Sequence, residues 1–117
     1  MNLRLASLAA LTVAAFAAPA LAHHSFAMYD ADKTITLQGT VKEFEWVNPH
    51  SWLRVVASDE RTGKPVLWVL ELGAPSQLIT TGIYANSLKP GDVVSVTFHP
   101  MKDGSRRGLI VRGAVAR

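Results

Sequence analysis

From Ile35 the apolar residues fall on every second position (Ile35, Leu37, Gly39, Val41), the period of a half-buried strand. The parity then flips to Phe44 and Trp46, as expected where one extra residue makes a bulge. Gly39 lies just ahead of the flip and suits a tight bend that lets one strand serve two sheet layers. Asn48-Pro49 interrupts the pattern, because Pro49 lacks an N–H and biases Asn48 toward an extended or turn conformation. A second strand covers Trp52 to Ser58, the polar loop Asp59 to Lys64 with Gly63 turns the chain, and a third covers Val66 to Leu72, closed by Gly73.

Pro75 suits a first helical position, Leu78, Ile79 and Ile83 share a face, and Gly82 is a C-terminal stop, so one short helix is expected here. Lys89-Pro90-Gly91-Asp92 is a turn in which Pro sets the first central φ and Gly accepts a positive φ at the second. Val93 to Phe98 and Leu109 to Val115 read as strands four and five, around a loop at 99–107 that contains Asp103-Gly104. Three strands, a short helix and two strands, with the first strand bent, is the order of an all-β, five-stranded OB-like barrel. That topology sets the loop between strands one and two beside the loop between strands four and five, at the usual ligand face.

Ahead of the barrel, Arg4, the apolar run Leu5 to Ala18 and the small-x-small site Ala20-Leu21-Ala22 read as a cleavable signal peptide. The expected organisation is therefore a leader over 1–22, an N-terminal arm over 23–33 and the barrel over 34–117. The apolar run is too short for a ~30 Å hydrocarbon layer and no second run follows, so a periplasmic product without a stable membrane anchor is expected. Trimming removes Arg4 and leaves 11 of the 12 basic residues against 9 acidic ones, so the exported chain is only mildly basic. With no cysteine it has neither a disulfide nor a thiolate metal cage.

All four histidines follow the leader: His23, His24, His50 and His99. Cleavage after Ala22 makes His23 the first residue, so its α-amine and imidazole can chelate one ion. Amine and imidazole donors suit copper above nickel or zinc. His50 falls in the first barrel loop and His99 at the start of the last, and the assumed fold brings these toward one rim. An arm of eleven residues spans at most ~36–40 Å, enough to fold back onto that rim. The expectation is a copper-binding or carrier protein with His23, His24, His50 and His99 as candidate ligands. Ser25 at the third position excludes the simple amino-terminal tripeptide copper site.

The alternative is a non-metal module that binds a periplasmic protein or a small anionic ligand through Trp52, Arg54, Arg106 and Arg107. Trp46 and Trp68 stand at positions of core parity, whereas Trp52 is the tryptophan expected at the surface. Nucleic acid is set aside as a partner, because export and the small charge excess argue against it. Carboxylates are present at Asp30, Asp32, Glu43, Glu45 and Glu71, but no spacing marks an acid/base pair, a nucleophile elbow or a phosphate loop, so no enzyme is expected. A copper oxygenase using Tyr29 or Tyr84 near the ion is the minor enzymatic reading.

The run His23-His24-Ser25-Phe26-Ala27-Met28-Tyr29-Asp30 resembles a family of small exported proteobacterial proteins known only as a domain of unknown function. The likeness extends through Gly39-Thr40-Val41 with Glu43-Phe44, Asn48-Pro49-His50, Ser87 to Asp92, His99-Pro100 and Asp103-Gly104. It implies export and the overall architecture, and no catalytic residue.

Overall fold

The computed structural model describes residues 26–117; the proposed leader, its cleavage site, His23 and His24 lie outside the described residues. Five strands, β1 (Ile35–Glu45), β2 (Trp52–Ser58), β3 (Pro65–Glu71), β4 (Val93–Pro100) and β5 (Arg107–Ala116), close a barrel in the order β1-β2-β3-β5-β4. All neighbours are antiparallel except β3 and β5, whose parallel pairing at Val69–Glu71 and Arg107–Leu109 seals the barrel. One short helix, α1 (Pro75–Ile79), stands between β3 and β4. The expected fold and element order are therefore those observed. No helix among the described residues is long and apolar enough to cross a membrane.

The long first strand works as its pattern suggests. Residues Ile35–Thr40 pair with β4, and Thr40–Glu45 pair with β2, so the strand changes partners at Gly39-Thr40. The register slips between Val41 and Glu43, which makes Lys42 the extra residue behind the parity flip. At Gly39 the two layers touch: a Cβ there would sit 2.6 Å from the Val56 carbonyl oxygen and closer still to Val55 Cγ1. Only glycine fits this crossing without displacement.

Leu53 and Val55 of β2, Leu70 of β3, and Val94, Val96 and Phe98 of β4 alternate inward and form the core with Val41, Leu72 and Ile110. Leu78 of α1 joins them, so the helix packs onto the core through this residue. Trp68 packs at the core margin with its ring 5.2 Å from Phe98, and Trp46 lies 6.0 Å from Phe44, in keeping with their parity. The Lys89–Asp92 turn forms as expected: Gly91 has φ 94° and the Asp92 N–H donates to the Lys89 carbonyl at 3.0 Å.

The helix is shorter than the expected run to Gly82. The Gln77 side chain accepts from the Ala74 N–H at its start, and after Ile79 the chain continues in turns, with Thr80 and Thr81 hydroxyls donating to the carbonyls of Gln77 and Leu78. Those threonine bonds satisfy carbonyls that a continuing helix would have used. At the other boundary, β4 runs on through His99 and Pro100, opposite Leu109 and Gly108, so His99 is a strand residue and not a loop residue.

Candidate functional site at the docked arm

Strand alternation places Trp52, Arg54 and Val56 of β2 on the outer surface, since Leu53 and Val55 point inward. The register carries the same face across the sheet: Trp52 opposite Glu71, Glu71 opposite Leu109, and Leu109 opposite His99. One row of outward residues thus crosses four strands. Glu71 belongs to it, yet it is 4% exposed. A carboxylate on an outer face is buried only if something covers it.

The cover is the N-terminal arm. Phe26–Met28 form a 3-10 turn, and Tyr29 makes an antiparallel bridge with Met101 in the β4–β5 loop. The Lys102 N–H donates to the Met28 carbonyl at 3.0 Å and the Asp30 N–H donates to the Pro100 carbonyl at 2.8 Å, so the arm is laced to that loop. Tyr29 is 4% exposed and its hydroxyl donates to Glu71 Oε2. Burial, then the hydrogen bond to Glu71 and its negative charge, push the Tyr29 phenol well above the ordinary range, so it stays protonated.

The other oxygen of Glu71 holds a histidine. His50 Nδ1 lies 3.1 Å from Glu71 Oε1, and its imidazole is about four-fifths buried. The loop is fixed directly behind it: the Ser51 N–H donates to the Gly73 carbonyl and the Leu72 N–H to the Ser51 carbonyl, extending the β2–β3 ladder by one pair. On its other side the Phe26 ring meets the His50 ring edge-on, with centroids 6.3 Å apart. The fold-back that the arm's length allows, without requiring it, is present from Phe26 onward.

His99 stands at the far end of the row. Its Nδ1 lies 2.7 Å from the Lys33 carbonyl oxygen, which can only accept, so Nδ1 carries the proton. His50 and His99 share one face but hold separate partners, and the two strand spacings between Glu71 and His99 amount to ~10 Å. Among the described residues no group of three or more His, Cys, Asp or Glu side chains is arranged to hold an ion. His99 Nδ1 is committed to a carbonyl acceptor, which makes Nε2 its lone-pair nitrogen in the neutral ring, while His50 Nδ1 stands beside a carboxylate oxygen.

The arginines of the alternative site divide in two. Arg54 is bound by Glu43 at 3.2 Å and by Glu45, and Arg106 by Asp59 at 2.9 Å. The Arg106 guanidinium, helped by the Arg61 and Thr62 N–H groups, holds the Asp59 carboxyl at about 2. Arg107 instead lies over the Trp52 ring, 5.8 Å from its centroid, so the first and last barrel loops do adjoin as the topology requires. Sequence reasoning passed over Glu71 as one carboxylate among several. The available signal was a charge at an outward position in an otherwise apolar strand.

This is an OB-type barrel whose outer face is partly closed by its own N-terminal arm. The chain belongs to a family of unknown function, DUF6152, whose profile matches residues 9–112. No curated protein matches it. Among solved structures it is similar to the mitochondrial single-stranded DNA binding protein Rim1 of S. cerevisiae (Form2), with a TM-score of 0.52 and 10% identity over 72% of this chain and 91% of that one. A selenomethionine-labelled structure of the same protein gives a TM-score of 0.46 and 12% identity over the same shares. These likenesses concern the fold. They also correct the expectation that set nucleic acid aside: a protein that shares this barrel is a single-stranded DNA binding protein, and a small charge excess is no ground for excluding that partner.

Proposed function

We propose that the protein binds copper in the periplasm, with His50 as the ligand fixed by the barrel and the arm histidines His23 and His24 supplying the remaining donors. The observation that carries this reading is the pairing of His50 Nδ1 with Glu71 at 3.1 Å while Phe26 of the arm packs against the same ring. A metal-binding histidine characteristically gives its second nitrogen to a carboxylate, which fixes the ring and raises the basicity of the ligating nitrogen. His24 precedes Phe26 by two residues, so covalent geometry limits their Cα atoms to ~8 Å. With the leader removed, the His23 amine and imidazole come within reach of the same ion. His99, held through Nδ1 by the Lys33 carbonyl, stands as a further donor on that face.

The test is a Cu(II) titration of protein beginning at His23, beside protein with one extra residue before His23 and beside His50→Ala. Tight binding by the first and weaker binding by the other two is expected. Equal, weak binding by all three would remove the proposal. Protons compete for amine and imidazole, so the affinity falls in acid.

A second reading rests on Trp52 and Arg107, which form a stacked aromatic and cationic pair on the strand 2–3 face where OB barrels receive oligonucleotides. Bases stack on such pairs without sequence preference. Anisotropy of a labelled oligo-dT at low salt tests it, with Trp52→Ala as the comparison. Absence of salt-sensitive binding by the unmodified protein would rule this reading out.

A further inference from the structure

We propose that the cavity between α1 and β5 is a binding site for a small organic carboxylate, with Arg112 taking the carboxylate group and Ile110 the hydrocarbon body. None of its lining residues belongs to the arm or to the Trp52–Arg107 pair, so the inference is independent of the copper and oligonucleotide readings. It begins with a break in register. Val96 pairs with Val115 and Phe98 with Ile110, so Thr97 alone stands against residues 111–114 of β5. Such a bulge re-aims the side chains it carries. Ile110 points into the core, but Arg112, two residues on, reaches across to the end of α1, where its Nη2 donates to Thr80 Oγ1 at 3.1 Å. Gly73, Ser76, Gln77, Thr80, Ile110 and Arg112 together line a cavity of about 420 Å3.

Donor counting gives the sign of the guest. The Thr80 hydroxyl is spent, because it donates to the Gln77 carbonyl at 2.6 Å and accepts from Arg112, so it orients the guanidinium and leaves the rest of that fork for a ligand. Gln77 Oε1 accepts from the Ala74 N–H at 3.0 Å, which leaves the amide NH2 as the donating end of that side chain. The Ser76 hydroxyl has no partner among the described residues and adds a further donor. The carbonyls of Gln77 and Leu78 at the helix end already accept from Thr80 and Thr81, so they do not oppose an anion with bare lone pairs. Arg54, Arg106 and Arg117 each hold a carboxylate, whereas Arg112 has none among the described residues, and no lining residue is acidic. One planar cation with neutral donors around it suits a monoanion that accepts two parallel N–H bonds, which is a carboxylate. The volume lies in the ~300–1,000 Å3 range of small-molecule sites and exceeds what an inorganic ion fills, so Ile110 is left to meet an organic body.

The experiment records 1H–15N correlation spectra of protein beginning at His23 during titration with benzoate and hexanoate, beside neutral benzamide and inorganic phosphate. The variants are Arg112→Gln, Ser76→Ala and, as a remote arginine, Arg117→Gln, all checked for folding by circular dichroism. Saturable shifts from both carboxylates are expected at the amides of Ser76, Gln77 and Thr80, with weaker responses to benzamide and phosphate. Carboxylate affinity should fall about tenfold in Arg112→Gln, the loss of one charge-assisted pair, and by a smaller factor in Ser76→Ala. Arg117→Gln should bind as the unmodified protein does. No saturable response to either carboxylate overturns the proposal, as does benzamide binding as tightly as benzoate. Equal losses in Arg112→Gln and Arg117→Gln reduce the effect to net charge and overturn the site. Phosphate binding as tightly as the carboxylates overturns the organic class of ligand. Unchanged affinity in both Arg112→Gln and Ser76→Ala, with either variant sufficing if the other does not fold, places the guest elsewhere.

Discussion

Replacing Gly39 by alanine tests the bend on which the barrel depends. The added Cβ would stand 2.6 Å from the Val56 carbonyl oxygen, roughly an ångström inside the ~3.5 Å at which non-bonded heavy atoms reach contact. It would also press on Val55 Cγ1, and Val55 is fully buried. The valine side chain cannot turn away in a filled core, and the carbonyl belongs to a strand paired on both sides. Overpacking of this kind costs ~1–3 kcal/mol, and the rigid neighbours argue for the upper part of that range.

Alanine restricts the unfolded chain more than glycine, which returns ~0.4–1 kcal/mol. The net loss is therefore about 2 kcal/mol, or about 8–16 °C in Tm for a domain of this size. Thermal unfolding followed by circular dichroism provides the number. A second arm adds Val55→Ala to Gly39→Ala: removing Cγ1 relieves one clash, so the double variant should lose less than the sum of the singles. A Gly39→Ala protein as stable as the original, or strictly additive losses, would refute the crossing argument.

Two pH dependences follow from the shifted groups. The Tyr29 phenol is raised in the folded state, so its contribution is complete below the ordinary tyrosine value of 10.0 and is lost as pH rises beyond it. In a Tyr84→Phe background, absorbance at 295 nm should show Tyr29 ionising together with unfolding and not before it. Asp59 has the opposite sign: its carboxyl, held at about 2 by Arg106, contributes above the ordinary value of 3.8 and is lost as pH falls toward 2. Denaturant midpoints between pH 5 and 2 should fall less steeply in Arg106→Gln, and an identical slope in both proteins would discount the pair.

The barrel was readable because each strand buries one face, and burial writes itself into alternation. Gly39 and the parity flip located the bend and the bulge, although the extra residue proved to be Lys42, one that no apolar pattern marks. The candidate site was only half readable. His50 and the adjoining loops follow from topology, but alternation says that Glu71 faces outward and cannot say what lies over it. Residues 26–33 have no strand or helix period, and their docking depends on backbone bonds to Pro100 and Lys102, which flank Met101 near the far end of the chain. Arg54 and Arg106 looked available for an anion because their carboxylate partners become neighbours only after the strands pair. Asp59 lies 47 residues from Arg106 in sequence.

The same register that places Glu71 under the arm places Trp52 directly opposite it. Anything seated on the Trp52–Arg107 pair is therefore one cross-strand neighbour from the carboxylate that holds His50, with paired Cβ atoms ~4.5–5.5 Å apart. A guest on that face and an ion at His50 are therefore expected to be energetically coupled. Linkage requires the effect to be reciprocal: if Cu(II) changes oligonucleotide affinity by some factor, the oligonucleotide must change Cu(II) affinity by the same factor. Anisotropy titrations with and without one equivalent of Cu(II), paired with copper titrations with and without oligo-dT, measure both legs. A several-fold change of equal size on each leg is expected where both ligands bind. Full independence in a protein that binds both would show that the row from Trp52 to His50 does not act as one site.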